Sequence, residues 1–284
     1  MELYSMPNWI RILLLILSSL TFLPQILALI HRRDTSGISI YYVLFNLIVS
    51  TELFAISFLL ITDPTDGTGY FVHDPPDTGD WLNVGQFATI CSLWLLIFIL
   101  YVAFSPRERC WRNAVVLALY TSYLLISVIP VLLNAVSPID PPGELPWFRA
   151  LWLGVHALFL APLITLLAVS TLPLQVRAIL ALPRGLGTGA LSLSFLAAQA
   201  VIFLVLAVTW WPGRLVFPEG FGAPFRYFDV WYTSIGFVPI DYAIHALVQV
   251  ILFFAAIWWC SNRPRATESP DARDNETDPL LPTR

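Results

Sequence analysis

The fold of this chain is decided by a short motif that occurs twice. The first copy reads TFLPQI at residues 21–26 and GISI at residues 37–40, and the second reads TLPLQV at residues 171–176 and ALSL at residues 190–193. In both copies a basic turn joins the two parts, and the serine of the second part lies seven residues before an amide, Asn46 or Gln199. The chain therefore contains an internal repeat.

The sequence around the motif is strongly apolar. Hydrophobic residues make up 57% of the chain and charged residues 12%, whereas an ordinary soluble domain is about 25% charged. Apolar runs long enough to cross a bilayer occur at residues 9–30, 38–61, 82–104, 113–136, 150–182, 190–211 and 237–260. These runs predict an all-α integral membrane protein with seven transmembrane helices. The fifth run is overlong, and we expect it to break or tilt after about residue 172.

The two motifs divide the seven helices into three, one and three. Repeat one covers residues 9–104, a linker helix covers residues 113–136, and repeat two covers residues 150–260. Because the linker crosses the membrane once, both triplets enter the membrane in the same direction. We therefore expect parallel repeats, which is one of the two repeat geometries that transporters use.

The first motif resembles the PQ-loop repeat, because Pro24 and Gln25 precede a short basic loop and a Gly-Ile-Ser sequence. The second motif is divergent, with Leu174 between Pro173 and Gln175. The arrangement is similar to that of the lysosomal cystine transporter and vacuolar basic amino acid transporter branch, with SWEET sugar transporters as distant relatives. This resemblance implies a transporter of a small solute, an amino acid or related metabolite, and commonly one coupled to protons.

Polar residues of the motif have physical roles that fit transport. A proline inside a helix removes a backbone hydrogen bond, so Pro24 and Pro173 are candidate hinges. Gln25 and Gln175 could satisfy the carbonyl groups that these prolines free, since an amide both donates and accepts. The alternative is that prolines are simply common in membrane helices.

The two intramembrane amides, Asn46 and Gln199, are candidate substrate contacts near the middle of the membrane. The alternative for this pair is hydrogen bonding between helices, which stabilises such contacts by roughly 0.6–2 kcal/mol.

Ionisable side chains within the runs are the candidates for proton coupling. Such groups are expensive at membrane depth and usually face a cavity. Glu52 lies in the middle of the second run, and Asp241 precedes His245 by one helical turn in the seventh. Burial favours the protonated form of a carboxylate, which lets it exchange protons near neutrality. Asp241 could instead be an interfacial residue at a helix end, and we interpret His156, in the fifth run, as a packing residue.

Charge predicts the orientation. All fifteen basic residues other than histidine are arginines, and most lie after the first, third, fifth and seventh runs, while the intervening loops are richer in aspartate and glutamate. Since arginine-rich loops stay cytosolic, residues 1–8 form a short lumenal N-terminus. Residues 261–284 form a cytosolic tail whose polar composition predicts disorder.

The tail contains an acidic dileucine pattern. Glu276 is followed, after three residues, by Leu280 and Leu281. This pattern resembles the sorting signal that adaptor complexes read on endosomal, lysosomal and vacuolar membrane proteins. It predicts an adaptor complex as a partner and an endomembrane, vacuolar or lysosomal, as the location.

Two other classes of function stay open. A membrane-embedded enzyme of the cyclase type could use Glu52 and Asp241, although no HExxH or GxSxG motif is present. A trafficking or receptor protein could share the architecture. The acidic loop at residues 63–80 lacks the EF-hand pattern and is interpreted as solvated. We expect no metal, no cofactor and no nucleic acid partner, and regard the chain as a transporter rather than an enzyme.

Overall fold

The computed structural model describes residues 6–62, 72–73, 75–137, 139, 147–182, 188–213 and 231–262. In these ranges the chain forms no strand, and it forms seven helices long and apolar enough to cross a membrane. The predicted all-α membrane fold is thereby confirmed. The residues of the proposed sorting signal, Glu276, Leu280 and Leu281, lie outside the described ranges.

The seven spans are numbered in chain order. Span 1 comprises Asn8–Leu20 and Leu23–Arg32; span 2 is Ile40–Thr62; span 3 is Thr78–Phe104; span 4 comprises a 3-10 turn at Arg107–Arg109 with the helices Cys110–Ser127 and Ile129–Val136; span 5 comprises Trp147–Val155, a π-helical turn at His156–Leu160 and Ala161–Leu180; span 6 is Leu193–Gly213; and span 7 comprises a π-helical turn at Tyr232–Gly236 and Phe237–Ser261.

The surface and the interior of this bundle have the polarity of a membrane protein. Large apolar side chains such as Phe159, Leu166 and Ile126 point outward and are about two-thirds exposed, at 68%, 66% and 66%. The fully buried side chains include polar ones, such as Gln175 and Gln249. A soluble protein shows the opposite distribution, so lipid is the solvent that matches this outer face.

The packing of the spans repeats itself. Span 1 packs against span 3 and span 2 against span 3, just as span 5 packs against span 7 and span 6 against span 7. Between the triplets, span 1 contacts span 6 and span 2 contacts span 5. The loops after spans 1 and 5 meet at one end of the bundle, which we call the motif end. Two triplets that run in the same direction produce this arrangement.

The interruptions of the helices differ from those expected. Span 1 is broken at Thr21 and Phe22, and Pro24 lies in the first turn of the helix that follows rather than inside a kinked helix. This position suits proline, because the first turn of a helix leaves its N–H groups without intrahelical partners. Pro173, in contrast, lies inside a continuous helix.

Span 5 also differs from the expected break after residue 172. It remains helical to Leu180, and its irregularity is the π-helical turn at His156–Leu160. Pro162 follows this turn and has no N–H with which to continue the regular hydrogen bonding.

Candidate functional site

Gln25 links span 1 to the loop of the other triplet. Its Nε2 donates to the carbonyl oxygen of Ala190 at 3.1 Å, and its Oε1 accepts from the backbone N–H of Ser192 at 3.0 Å. The side chain is buried. It therefore satisfies two backbone groups just before span 6 begins, where no helical partner is available.

Gln175 makes the equivalent contacts in the reverse direction. Its Nε2 donates to the carbonyl oxygen of Gly37 at 2.6 Å, and its Oε1 accepts from the N–H of Ser39 at 2.9 Å. We call these four hydrogen bonds of Gln25 and Gln175 the crossed clamp. The expectation that each amide serves a carbonyl freed by the proline in its own helix is wrong, since both amides reach across to the opposite triplet.

The two loops behind the crossed clamp touch through their backbones. The N–H of Ala190 donates to the carbonyl oxygen of Ser36 at 2.8 Å, and the guanidinium of Arg32 donates to the carbonyl of Gly189. Gly37 and Gly189 both have positive φ, of 77° and 62°. A Cβ at Gly37 would lie 2.6 Å from the carbonyl oxygen of Thr188, so glycine permits the close approach.

A buried polar network lies between the triplets. His245 contacts the two candidate amides, with Nδ1 3.0 Å from Oδ1 of Asn46 and Nε2 2.7 Å from Oε1 of Gln199. Nε2 of Gln249 lies 3.2 Å from the same imidazole nitrogen and donates to the Tyr42 hydroxyl. The structure thus brings Asn46, Gln199 and His245 together from spans 2, 6 and 7.

The network borders a small cavity at the centre of the bundle. The cavity is lined by Asn46, Ser50, Trp94, Phe203, Asp241 and His245, among others. It offers about 20 Å³ to the centre of a water-sized sphere, which is room for about one water molecule. No amino acid fits in this space, so the described conformation is closed around the site.

Glu52 has a partner that the sequence did not indicate. Its Oε1 lies 2.6 Å from Nδ1 of His156, and its Oε2 accepts a hydrogen bond from the Tyr123 hydroxyl at 2.5 Å. The Trp152 ring stacks on the imidazole, with centroids 3.6 Å apart. His156 is thus more than the packing residue that its isolation in the fifth run indicated. The group joins span 2, the linker span 4 and span 5.

Asp241 has its own set of hydroxyl partners. Oγ1 of Thr165 donates to its Oδ1 at 2.5 Å, and the Tyr232 hydroxyl lies 2.7 Å from the same Oγ1. Asp241 is buried and lines the central cavity together with His245. Its location inside the bundle, behind the π-helical turn that begins span 7, differs from the interfacial alternative.

These buried groups form three hydrogen-bonded sets, centred on His245, on Glu52 and on Asp241. Carboxylate, imidazole, hydroxyl and amide groups can hold a proton or pass it to a neighbour. Glu52 and Asp241 belong to different triplets, so a movement of one triplet against the other changes their surroundings.

Acidic residues at the opposite end serve the helix start. Asp77 and Asp80 form a capping box at the beginning of span 3, and Asp80 also accepts from the N–H of His73 at 3.0 Å. A ring nitrogen of His73 and one carboxylate oxygen each of Asp77 and Asp80 lie within 4.8 Å of one another. The buried guanidinium of Arg11 is attracted by both aspartates. Arg11 lies in span 1, away from the arginine-rich loops, and these two carboxylates compensate part of its charge.

Comparison with known proteins identifies the first part of the chain. Residues 6–66 match the family model of the PQ loop repeat. The match covers spans 1 and 2 with the first motif, and it confirms the resemblance seen there. No curated protein and no solved structure matches the chain.

Proposed function

Since residues 6–66 are a PQ loop repeat within a seven-span bundle, we propose that the protein moves a small solute across a membrane by alternating access. The crossed clamp is the observation that carries this proposal. It joins the two triplets at the motif end through hydrogen bonds to loop backbone, which can open without disturbing the core of either triplet. Its opening would connect the central cavity to that side of the membrane.

The proposed substrate is an amino acid or related metabolite, as in the cystine and vacuolar basic amino acid transporter branch. The central site supports a small solute with both polar and apolar parts, because amide, hydroxyl and imidazole groups lie there beside apolar side chains and the aromatic rings of Trp94 and Phe203. Asn46 and Gln199 would exchange their bond to His245 for bonds to the solute. His245, which loses these two contacts, would bind the solute as well, so that no buried polar group is left without a partner.

We further propose that transport is coupled to protons. Glu52, with His156 and Tyr123, would take up and release the coupling proton, and Asp241 would lie on its route to the central cavity beside His245. The geometry supports this assignment because a carboxylate bonded to an imidazole can shift its proton over a short distance. The acidic dileucine signal supports an endomembrane, vacuolar or lysosomal, where a proton gradient is available.

Reconstituted vesicles test the proposal directly. The full chain is incorporated into vesicles, and uptake of amino acids and sugars is measured with and without a pH gradient. We expect uptake of one class of solute together with proton movement. His245→Ala should abolish it, whereas Ser170→Ala, which changes an exposed hydroxyl bonded within its own helix, should not. Turnover of a lipid or terpenoid substrate without solute flux would instead identify an enzyme and refute the transporter.

A further inference from the structure

A second and larger cavity opens at the motif end of the bundle. It offers about 280 Å³ to the centres of water-sized spheres, against about 20 Å³ in the central cavity, so several waters or one small molecule fit. The lining comes from the loop between spans 1 and 2 with the first turn of span 2, from Tyr101 near the end of span 3, from the beginning of span 4 and from the end of span 5. We call it the vestibule.

The charged side chains that line the vestibule are arginines. Arg109 and Arg112 project from the beginning of span 4, opposite the polar groups of Ser36, Ser39 and Tyr41. Nε of Arg112 is buried and has no hydrogen-bond partner among the described residues. A buried guanidinium donor without a partner is costly, so a ligand that accepts hydrogen bonds would be stabilised there.

One acidic group in the loop, Asp34, interacts with Arg109. Asp34 attracts Arg109 electrostatically, while the hydroxyl and the N–H of Ser36 donate hydrogen bonds to its carboxylate. Although burial opposes ionisation, these interactions lower the pKa of Asp34 below its ordinary value. Asp34 is therefore ionised at neutral pH and compensates part of the charge of Arg109.

The surroundings of the vestibule are also basic. The described residues at this end include more basic than acidic side chains. The acidic ones are Asp34 and Glu108, and the six arginines are Arg32, Arg33, Arg107, Arg109, Arg112 and Arg177. A positive potential of this kind attracts anions to the entrance. Guanidinium pairs recognise phosphate well, because their N–H groups match its oxygen atoms.

We propose that the vestibule is a binding site for a phosphate monoester, carried either by a phosphoinositide headgroup or by a free inositol phosphate. Arg109 and Arg112 would bind the phosphate oxygens, and the hydroxyls of Ser39 and Tyr41 would bind the remainder of the ligand. Neither the match to the PQ loop repeat nor the proposed transport assigns a ligand to this cavity.

The location gives the ligand a regulatory effect. Gly37 and Ser39 line the vestibule, and the same two residues are held by Gln175 in the crossed clamp. A phosphate that bridges Arg112 and this loop therefore stabilises the closed clamp and slows transport. This effect on the rate rests on the proposed function, whereas the binding itself does not.

Binding to the purified full chain tests the site without any transport. The probes are a soluble inositol trisphosphate, inorganic phosphate, and phosphatidylcholine vesicles that contain phosphatidylinositol bisphosphate or, at equal charge, phosphatidylserine. We expect the double variant Arg109→Gln/Arg112→Gln to bind roughly tenfold more weakly or worse. Arg107→Gln is the matched control, because Arg107 is exposed in the same 3-10 turn and does not line the vestibule.

A gain of affinity provides the second test. Asp34→Asn removes the charge that competes for Arg109, so it should tighten binding several-fold. A gain of affinity cannot result from a misfolded variant. Binding of the soluble trisphosphate identifies a free ligand as sufficient, and binding of the bisphosphate lipid alone identifies a headgroup. No binding of any probe, an equal loss in Arg107→Gln, or equal binding to phosphatidylserine vesicles would overturn the proposal.

Discussion

Glu52 and His156 form a buried pair, with Oε1 of the glutamate 2.6 Å from Nδ1 of the histidine although 104 residues separate them along the chain. The pair connects span 2 of the first triplet to span 5 of the second. Any relative movement of the triplets therefore acts on the contact that is proposed to hold the coupling proton.

Replacement of this carboxylate tests the coupling. Glu52→Gln keeps the shape of the side chain, but its amide nitrogen donates where a carboxylate oxygen accepts, and it cannot exchange a proton near neutral pH. We expect the variant to lose the pH dependence of uptake in reconstituted vesicles, with exchange of solute retained. Glu108→Gln, at an exposed glutamate of the 3-10 turn, should behave as the native protein. Unchanged pH-dependent flux in Glu52→Gln would remove Glu52 from the mechanism.

The crossed clamp makes a prediction about stability. Gln25→Leu and Gln175→Leu each leave one part-buried backbone N–H and one buried carbonyl without their partner, which costs about 1–3 kcal/mol. Because the two glutamines have equivalent contacts, we expect similar losses in the free energy of unfolding, measured by titration with a denaturing detergent. Ser170→Ala should change it by less than about 0.5 kcal/mol. Losses of that small size in both leucine variants would contradict the clamp.

The glycines of the two loops give a sharper comparison. Gly189→Ala places a Cβ 2.5 Å from the Ser36 carbonyl oxygen at a φ of 62°, and Gly37→Ala is equally crowded. Both should lower the free energy of unfolding by about 1–3 kcal/mol. Gly154→Ala is the control, since nothing lies within 4 Å of its added Cβ, and we expect it to be neutral or slightly stabilising. A neutral result at Gly37 and Gly189 would show that the loops are not in contact.

Native cysteines can test the orientation. Cys110 and Cys260 are exposed and lie at the beginning of span 4 and the end of span 7, both at the motif end. Arginine placement predicts that this end is cytosolic, so a membrane-impermeant thiol reagent should label both in vesicles of cytosolic-side-out orientation, and serine variants provide the control. The tail carries one glycosylation sequon, Asn275-Glu276-Thr277. Labelling from the other side, or a glycan at Asn275, would reverse the orientation.

The sorting signal gives a prediction for cells. Leu280→Ala with Leu281→Ala removes the two apolar side chains that an adaptor complex would bind, so we expect the protein to move from endomembranes to the cell surface. Surface biotinylation measures the shift, and Thr283→Ala in the same tail should leave the distribution unchanged. An unchanged distribution in the leucine variant would show that Leu280 and Leu281 do not direct sorting.

Hydropathy and the repeated motif were sufficient to predict the seven spans, because whether a segment crosses the membrane depends on its own apolar residues. They were not sufficient for the contacts between triplets. The partner of Gln25 is 165 residues away at Ala190, and nothing in the local sequence selects it over the carbonyl groups of its own helix. His156 was missed as the partner of Glu52 for the same reason. Asn46, Gln199 and His245 could be selected as polar residues in apolar runs, yet their convergence depends on how spans 2, 6 and 7 pack.

The crossed clamp also constrains how the protein is made. Span 1 leaves the ribosome long before residues 190–192 are synthesised, so the amide of Gln25 enters the bilayer without the backbone groups that it later binds. The first triplet therefore remains unlocked during insertion, and it must stay open on its side toward the arriving second triplet. Assembly of the bundle is completed only when the residues before span 6 contact Gln25 and the loop between spans 1 and 2 contacts Gln175.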